Sequence, residues 1–232
     1  MPNTYIVIPL YNNWTLLHEQ LWNLYRKERE NITSVLIVND CSTDPEVEGG
    51  LRWWKAEWKE KSDPLPVEVI NNGGNLGFLK TSNLGMKHIA DTVSQNPDDI
   101  IILLSTDVKI HGKFVSQIKE LLEIPKTLVG GILYSTDTGW NRFDRVYPYL
   151  EGWILATTVE NWKELGYFDE LYIPHTFEDV DISTKALSLG YQLVPLNNMG
   201  LQHLAGQSIK YSPERDKLTK INQEKFRLKW VP

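Results

Sequence analysis

Four stretches of this chain are short runs rich in apolar, largely β-branched residues, and each of the first three leads into a segment with helical spacing. The runs are TYIVIPL (4 to 10), SVLIVND (34 to 40), VEVINN (67 to 72) and DIIILLS (99 to 105). A strand that is apolar on both faces must be covered on both, so the alternation predicts an α/β fold: a mostly parallel, Rossmann-like sheet flanked by helices. Between the first two runs, Trp14, Leu17, Leu21 and Leu24 recur at three- and four-residue spacing behind Asn13, a candidate N-cap. Asp44 can cap a second helix that begins at Pro45 and carries Glu46 and Glu48 in its first turns. The segment GFLKTSNLGMKHIADTV, from Gly77, supplies a third.

After about residue 125 the rhythm changes. LVGGILYS (128 to 135) and LEGWILATT (150 to 158) have strand character, EDVDISTKALSLG (178 to 190) is a helix, and YQLVPLNNMGLQHL (191 to 204) holds one or two further strands. A last helix begins with Ser212 as N-cap and Pro213 in its first position and runs towards Trp230.

At 232 residues the chain is sized for one domain. Its longest apolar run is far short of the about 20 residues that a membrane-spanning helix needs. The N-terminus has the pattern of a first strand and not of a signal peptide, and Cys41 is the lone cysteine. Both features point to a reducing, cytoplasmic setting. A net charge of −6 argues against nucleic acid as a partner, because phosphate backbones are bound through a basic face. The nine tryptophans suit sugar rings as well as a packed core, and core packing is the expectation for most of them.

Ligands of open parallel sheets bind beyond the carboxyl ends of the strands, where all four runs here end in polar residues. The first strand leads into PLYNN, so the dinucleotide fingerprint G-x-G-x-x-G is missing from its place, and no Walker A lysine motif occurs. IVIPLYNN, LIVNDCSTD, NNGGNLGFLKTSNLG, LLSTDV, LGYFDE and EDVDISTKALSLGY occur instead, in that order. Over residues 4 to about 208 this series resembles the family 2 glycosyltransferases of the GT-A fold. Each element alone is common; six in register are a specific signal. The resemblance implies a nucleotide-binding half over about 1–107, an acceptor and catalytic half over about 108–208, and a C-terminal helix over 209–232.

It further implies that Asp40 reads the base of a nucleotide sugar, in a pocket lined by Pro9, Leu10, Tyr11, Asn12, Asn75, Gly77, Ser105 and Thr106. A carboxylate can accept the imide N–H of uracil or thymine. The alternative is that Asp40 satisfies backbone N–H groups in its own DCSTD turn. Asp107 stands where the family carries a D-x-D-like metal motif, but here the motif reads Ser105, Thr106, Asp107 and lacks its first acid. His203 corresponds to a histidine of many relatives and is the expected second ligand of Mn²⁺ or Mg²⁺.

Glu178, Asp179 and Asp181 crowd one helix start. At about 100° per residue, Asp179 and Asp181 point about 200° apart and cannot serve one site. The resemblance makes Asp179 the catalytic base and gives Glu178 the task of orienting it or bonding the acceptor. Helix capping is the competing explanation, since Thr176 and Asp179 have capping-box spacing. Lys185 stands where relatives often carry arginine.

The expected reaction is a single displacement with inversion, moving one sugar, best a UDP-hexose, to a glycan or other hydroxyl. Trp140, in the aperiodic stretch 134 to 150, and Trp153 are candidates for stacking on the acceptor, against the plainer reading of buried aromatics. A non-catalytic carbohydrate-binding relative is the rival from another class, favoured by the missing acid at Ser105. A sugar-nucleotide pyrophosphorylase would want a glycine-rich basic loop where PLYNN stands.

Overall fold

A computed structural model describes residues 2–59, 61–136, 146–196, 200–205 and 212–230. The four apolar runs are strands β1 (Thr4–Leu10), β2 (Ser34–Asn39), β3 (Val67–Asn71) and β4 (Ile100–Leu104). Helices α1 (Trp14–Glu28), α2 (Pro45–Lys59) and α3 (Gly77–His88) connect them, and a π-helical turn at Ile89–Val93 prolongs α3. Asp44 caps α2, its carboxylate accepting from the Glu46 N–H at 2.9 Å. Asn13 does occupy the N-cap position of α1, but its backbone is left-handed (φ 59°) and its side chain makes no capping bond. A capping side chain folds back over the first turn from an extended backbone, which Asn13 does not have.

The second half contributes β5 (Val108–Ile110), α4 (Val115–Leu121), β6 (Thr127–Gly130), β7 (Leu133–Ser135), β8 (Pro148–Leu150), β9 (Ile154–Thr158) and α5 (Val159–Leu165). It continues with α6 (Glu178–Ser188), β10 (Gln192–Pro195), β11 (Leu201–His203) and α7 (Pro213–Trp230). Each of the two long apolar stretches expected here divides in two, so that β7 and β8 pair apart from the main sheet. The break in the first falls at Gly131, where a Cβ would lie 2.5 Å from the Trp153 ring.

The main sheet has the order β10-β6-β9-β4-β1-β2-β3. β1 to β4 run parallel, as do β6 and β10, while β9 is antiparallel to both β4 and β6. Side chains of β1 alternate between two cores. Ile6 and Ile8 pack with Leu17, Leu21, Trp54 and Trp58 under α1 and α2, and Tyr5 and Val7 pack with Leu79, Met86 and Trp162 under α3 and α5. From β1 the chain steps outwards through β2 to β3 and then returns to the other side of β1 as β4. That reversal is a topological switch point, and it opens a crevice at the carboxyl ends of β1 and β4. Thr106 closes its floor by donating to the Pro9 carbonyl at 2.7 Å, and the Gln20 amide holds the turn after β4 through the carbonyls of Ser105 (2.9 Å) and Val108 (3.1 Å).

Helix α7, capped by Ser212 at the Arg215 N–H, is fastened against the segment from Tyr172 to Asp181. The fully buried Asn222 amide donates to the carbonyls of Tyr172, His175 and Thr176. Near its other end, buried Asp181 accepts from the Tyr172 hydroxyl (3.0 Å), Lys229 (2.8 Å) and the Trp230 indole (2.6 Å). Asp181 thus points away from the cleft and joins α6 to α7. Removing one member of such a buried network strands its partners, so Asp181→Ala is expected to lower unfolding free energy by about 3 kcal/mol in chemical denaturation. Arg227→Ala, which breaks the surface pair with Glu224, should leave the denaturation midpoint unchanged.

Candidate active site

A cavity of about 280 Å³ occupies the crevice at the switch point. Eight of the nine residues expected around a nucleotide line it: Pro9, Leu10, Tyr11, Asp40, Asn75, Gly77, Ser105 and Thr106. Asn12 does not line it. Its side-chain oxygen accepts from the N–H groups of Thr43 (2.8 Å) and Asp44 (2.9 Å), binding the loop after β2 to the loop after β1. Asp40 is buried and bonded, but not within its own turn. One carboxylate oxygen accepts from the Leu76 N–H and the Asn72 amide (both 2.8 Å), the other from the Gly77 N–H (2.9 Å). It therefore shapes the turn between β3 and α3 that forms one wall of the cavity. Gly77 is required there twice over, by its φ of +81° and by Pro174, whose Cβ would stand 2.7 Å from an added side chain.

A second cavity of about 200 Å³ adjoins the first and shares Phe78 and Ser105 with it. Asp107, His203, Glu178, Asp179 and Trp153 line it, joined by Glu151, Gly152 and Arg215. Asp107 and His203, far apart in sequence, meet because β5 and β11 pair antiparallel with Val108 opposite His203. His203 Nε2 lies 3.5 Å from Asp107 Oδ1, which also accepts from the Ser105 hydroxyl at 2.7 Å. Among the described residues no cluster of three histidine, cysteine, aspartate or glutamate side chains is placed to hold a metal. One carboxylate and one imidazole fit a divalent cation that takes its other ligands from phosphate oxygens and water, and do not fit a resident structural ion.

At the start of α6 the capping box is not formed. The N-cap is Phe177 (φ 70°), with no capping bond, and the Thr176 hydroxyl accepts instead from Asn222 at 3.2 Å. Asp179 lies against Gly152 in the cleft, accepting from the Val180 N–H at 2.9 Å and more weakly from the Gly152 N–H at 3.4 Å. Burial raises its pKa above the ordinary aspartate range, and Glu151 adds to the shift. Glu178, 8% exposed, is raised further, first by burial and then by the charge of Asp179, and its Oε2 has no hydrogen-bond partner. Such a carboxyl is held most easily as the neutral acid.

Trp153 is only 9% exposed; its ring stacks on His203 at 5.5 Å, so it braces that imidazole instead of presenting an open face to a sugar. Trp140 lies outside the described residues. Lys185 bonds the Leu165 carbonyl at 2.6 Å and so ties α6 to the end of α5. Sequence reasoning missed Phe78, Thr81, Glu151, Gly152, Pro174, His175 and Arg215, all of which line the two cavities. Of these, Phe78 and Thr81 lie inside NNGGNLGFLKTSNLG, Glu151 and Gly152 inside LEGWILATT, and His175 adjoins Thr176, so only Pro174 and Arg215 stood apart from every motif or candidate in view.

The family model described as glycosyl transferase family 2 matches residues 5–181. No curated protein matches the chain. Among solved structures, the chain is similar to the mannosyltransferase PcManGT from Pyrobaculum calidifontis in complex with GDP-Man and Mn²⁺, at 18% identity and a TM-score of 0.63 over 85% of this chain and 55% of that one. It is similar to GalNAc-T7 with UDP, GalNAc and Mn²⁺ at 13% identity and a TM-score of 0.69, over 87% and 44% of the two chains. For S. aureus TarS 1-349 in complex with UDP-GlcNAc the values are 16%, 0.58, 94% and 65%. At these identities the likeness is one of fold, and the chain spans about half the length of the first two.

A carboxyl whose pKa is raised by folding stabilises the native state fully below its unfolded pKa and loses that contribution as pH rises through the folded one. Glu178→Gln, a neutral isostere, should therefore melt like the native protein in acid and at higher temperature than it above the ordinary glutamate range, by a margin that grows with pH. Thermal melts across that range in which the native protein gained on the variant would show Glu178 to be ionised in the fold.

Proposed function

Because the chain belongs to glycosyl transferase family 2, we propose that it moves one sugar from a nucleoside-diphosphate sugar to an acceptor hydroxyl by a single displacement with inversion at the anomeric carbon. The observation that carries this reading is the pair of adjoining cavities. One is sized and lined for a nucleoside, and the other gathers Asp107, His203 and Asp179 around the place where a sugar on that nucleoside would lie. In this reading residues 1–107 bind the nucleotide, 108–208 carry the acceptor and catalytic half and 209–232 form the C-terminal helix, although Pro174 and His175 reach the first cavity and Phe78, Ser105 and Asp107 the second.

The donor's base enters the first cavity. The Asp40 oxygen that accepts only the Gly77 N–H keeps a lone pair for the imide N–H of uracil or thymine, and UDP-hexose is the donor we favour. Nucleotide sugars or UDP in the similar structures support this class of donor. Asp107 and His203 would hold Mn²⁺ or Mg²⁺ beside the diphosphate, where a divalent ion neutralises charge on the leaving group, and Mn²⁺ in two of those structures supports it.

Asp179 takes the proton of the acceptor hydroxyl as that oxygen attacks. Its raised pKa makes it a stronger base than an ordinary aspartate, yet still far weaker than an alkoxide, so the transfer comes late, when bond formation has made the hydroxyl acidic. Positioning by the neighbouring cavities supplies much of the acceleration. Neutral Glu178 is placed to donate a hydrogen bond to the acceptor or to orient Asp179. The acceptor is a glycan or other hydroxyl compound. No helix among the described residues is long and apolar enough to cross a membrane, and the exposed thiol of Cys41 agrees with a cytoplasmic setting.

Ser105 in place of a first acid favours a second reading, a carbohydrate-binding protein without turnover. A panel of UDP-, GDP- and dTDP-sugars with Mn²⁺ separates the two. Release of the nucleoside diphosphate from one donor is expected, falling about 10²- to 10⁴-fold in Asp179→Asn with donor affinity unchanged, and losing its Mn²⁺ response in Asp107→Ala. Full activity in Asp179→Asn would remove that residue as base, and no release from any donor would favour the binding protein.

A further inference from the structure

The two cavities meet at Ser105 and Phe78, so a diphosphate linking a nucleoside in one to a sugar in the other must cross that junction. Its surroundings are acidic. Asp107, Glu151, Glu178 and Asp179 all line the second cavity, and carboxylate charge beside a bound cation offsets part of the cation's own. Arg215 is the only lysine or arginine lining either cavity among the described residues. It lines the second cavity and acts electrostatically on both. Its charge, after burial, depresses the pKa of His175 in the first cavity, and it works against the upward shift of Glu178 in the second. The backbone that carries it is held along the length of α7, by the Ser212 cap at its start, the Asn222 amide at its middle and Asp181 at its far end.

We propose that Arg215 is a substrate-binding residue that grips the donor's diphosphate at this junction and, in transfer, shares with the cation the charge that builds on the leaving group. A planar guanidinium binds two phosphate oxygens at once, and a partly buried one does so against less water than a surface lysine. The missing acid at Ser105 gives this its weight: with one carboxylate fewer to hold a cation, more of the neutralisation falls to a cationic side chain.

The inference rests on the donor reading above, and titration calorimetry separates the two. The native chain is titrated with UDP, GDP and dTDP and with the corresponding nucleosides, with and without Mn²⁺, and the tightest pair is repeated on Arg215→Gln and Arg215→Lys. Arg215→Gln should weaken the diphosphate about tenfold or more while leaving the nucleoside unchanged, and Arg215→Lys should recover part of the loss. The loss should be larger without Mn²⁺. Equal affinity in Arg215→Gln and native protein overturns the assignment. Equal loss of nucleoside and diphosphate overturns it too, since a displaced α7 would produce that. Failure of the native chain to bind any nucleoside diphosphate overturns the donor reading itself, a result distinct from either.

Discussion

The reversal of strand order at β1 is the constraint on which the rest of the molecule depends. With β2 on one side of β1 and β4 on the other, the crossover from β1 to β2 through α1 and the return from β3 to β4 through α3 run in opposite directions across the sheet, and a crevice opens at the carboxyl ends between them. The polar strand ends therefore face a crevice. Their fastenings are short-range hydrogen bonds between segments remote in sequence: Thr106 to Pro9, Asn12 to the loop at Thr43, Asp40 to the turn at Leu76. Each removes a backbone polar group from the list that would otherwise need water, and together they make a rigid floor from four loops.

Onto that floor the second half of the chain brings concentrated negative charge. β9 runs antiparallel into the sheet, and β11 pairs with β5, so the turn at Glu151 and Gly152, the start of α6 and His203 all reach one cavity. Asp179 and Glu178 are raised by burial, an arrangement that costs stability in the folded protein and supplies a more basic carboxylate beside a neutral acid. Cationic help is sparse. Among the described residues one guanidinium, that of Arg215, faces this charge from the lining, which suits a site completed by an anionic ligand together with its counter-ion.

The limits of sequence reasoning show in particular residues. The strands and their order of appearance were legible because continuous apolar runs have one economical use, and Asp44 and Ser212 were legible as caps because each stands next to a proline at a helix start. Helix geometry alone separated Asp181 from Asp179, and Asp181 does face α7. Asn13 and Thr176 looked like caps and are not, since their left-handed backbones turn the side chains elsewhere. Asp40 was legible as a cleft residue, but not its grip on the turn at Leu76 and Gly77, which lies 36 and 37 residues away. Arg215 carried no signal at all.

What the amino-acid sequence determined by itself is everything that depends on neighbours within a few residues: where strands and helices begin, which faces are apolar, and that two carboxylates two places apart on a helix diverge. Tertiary structure decided which distant segments meet. It made β9 antiparallel, set His203 beside Asp107, covered the face of Trp153 and turned the first residues of α7 towards the cleft. The physical reason is one of range. Backbone propensity and side-chain period act over one turn or one pleat, whereas burial and charge act through space, on whatever the folded chain has brought within a few ångströms.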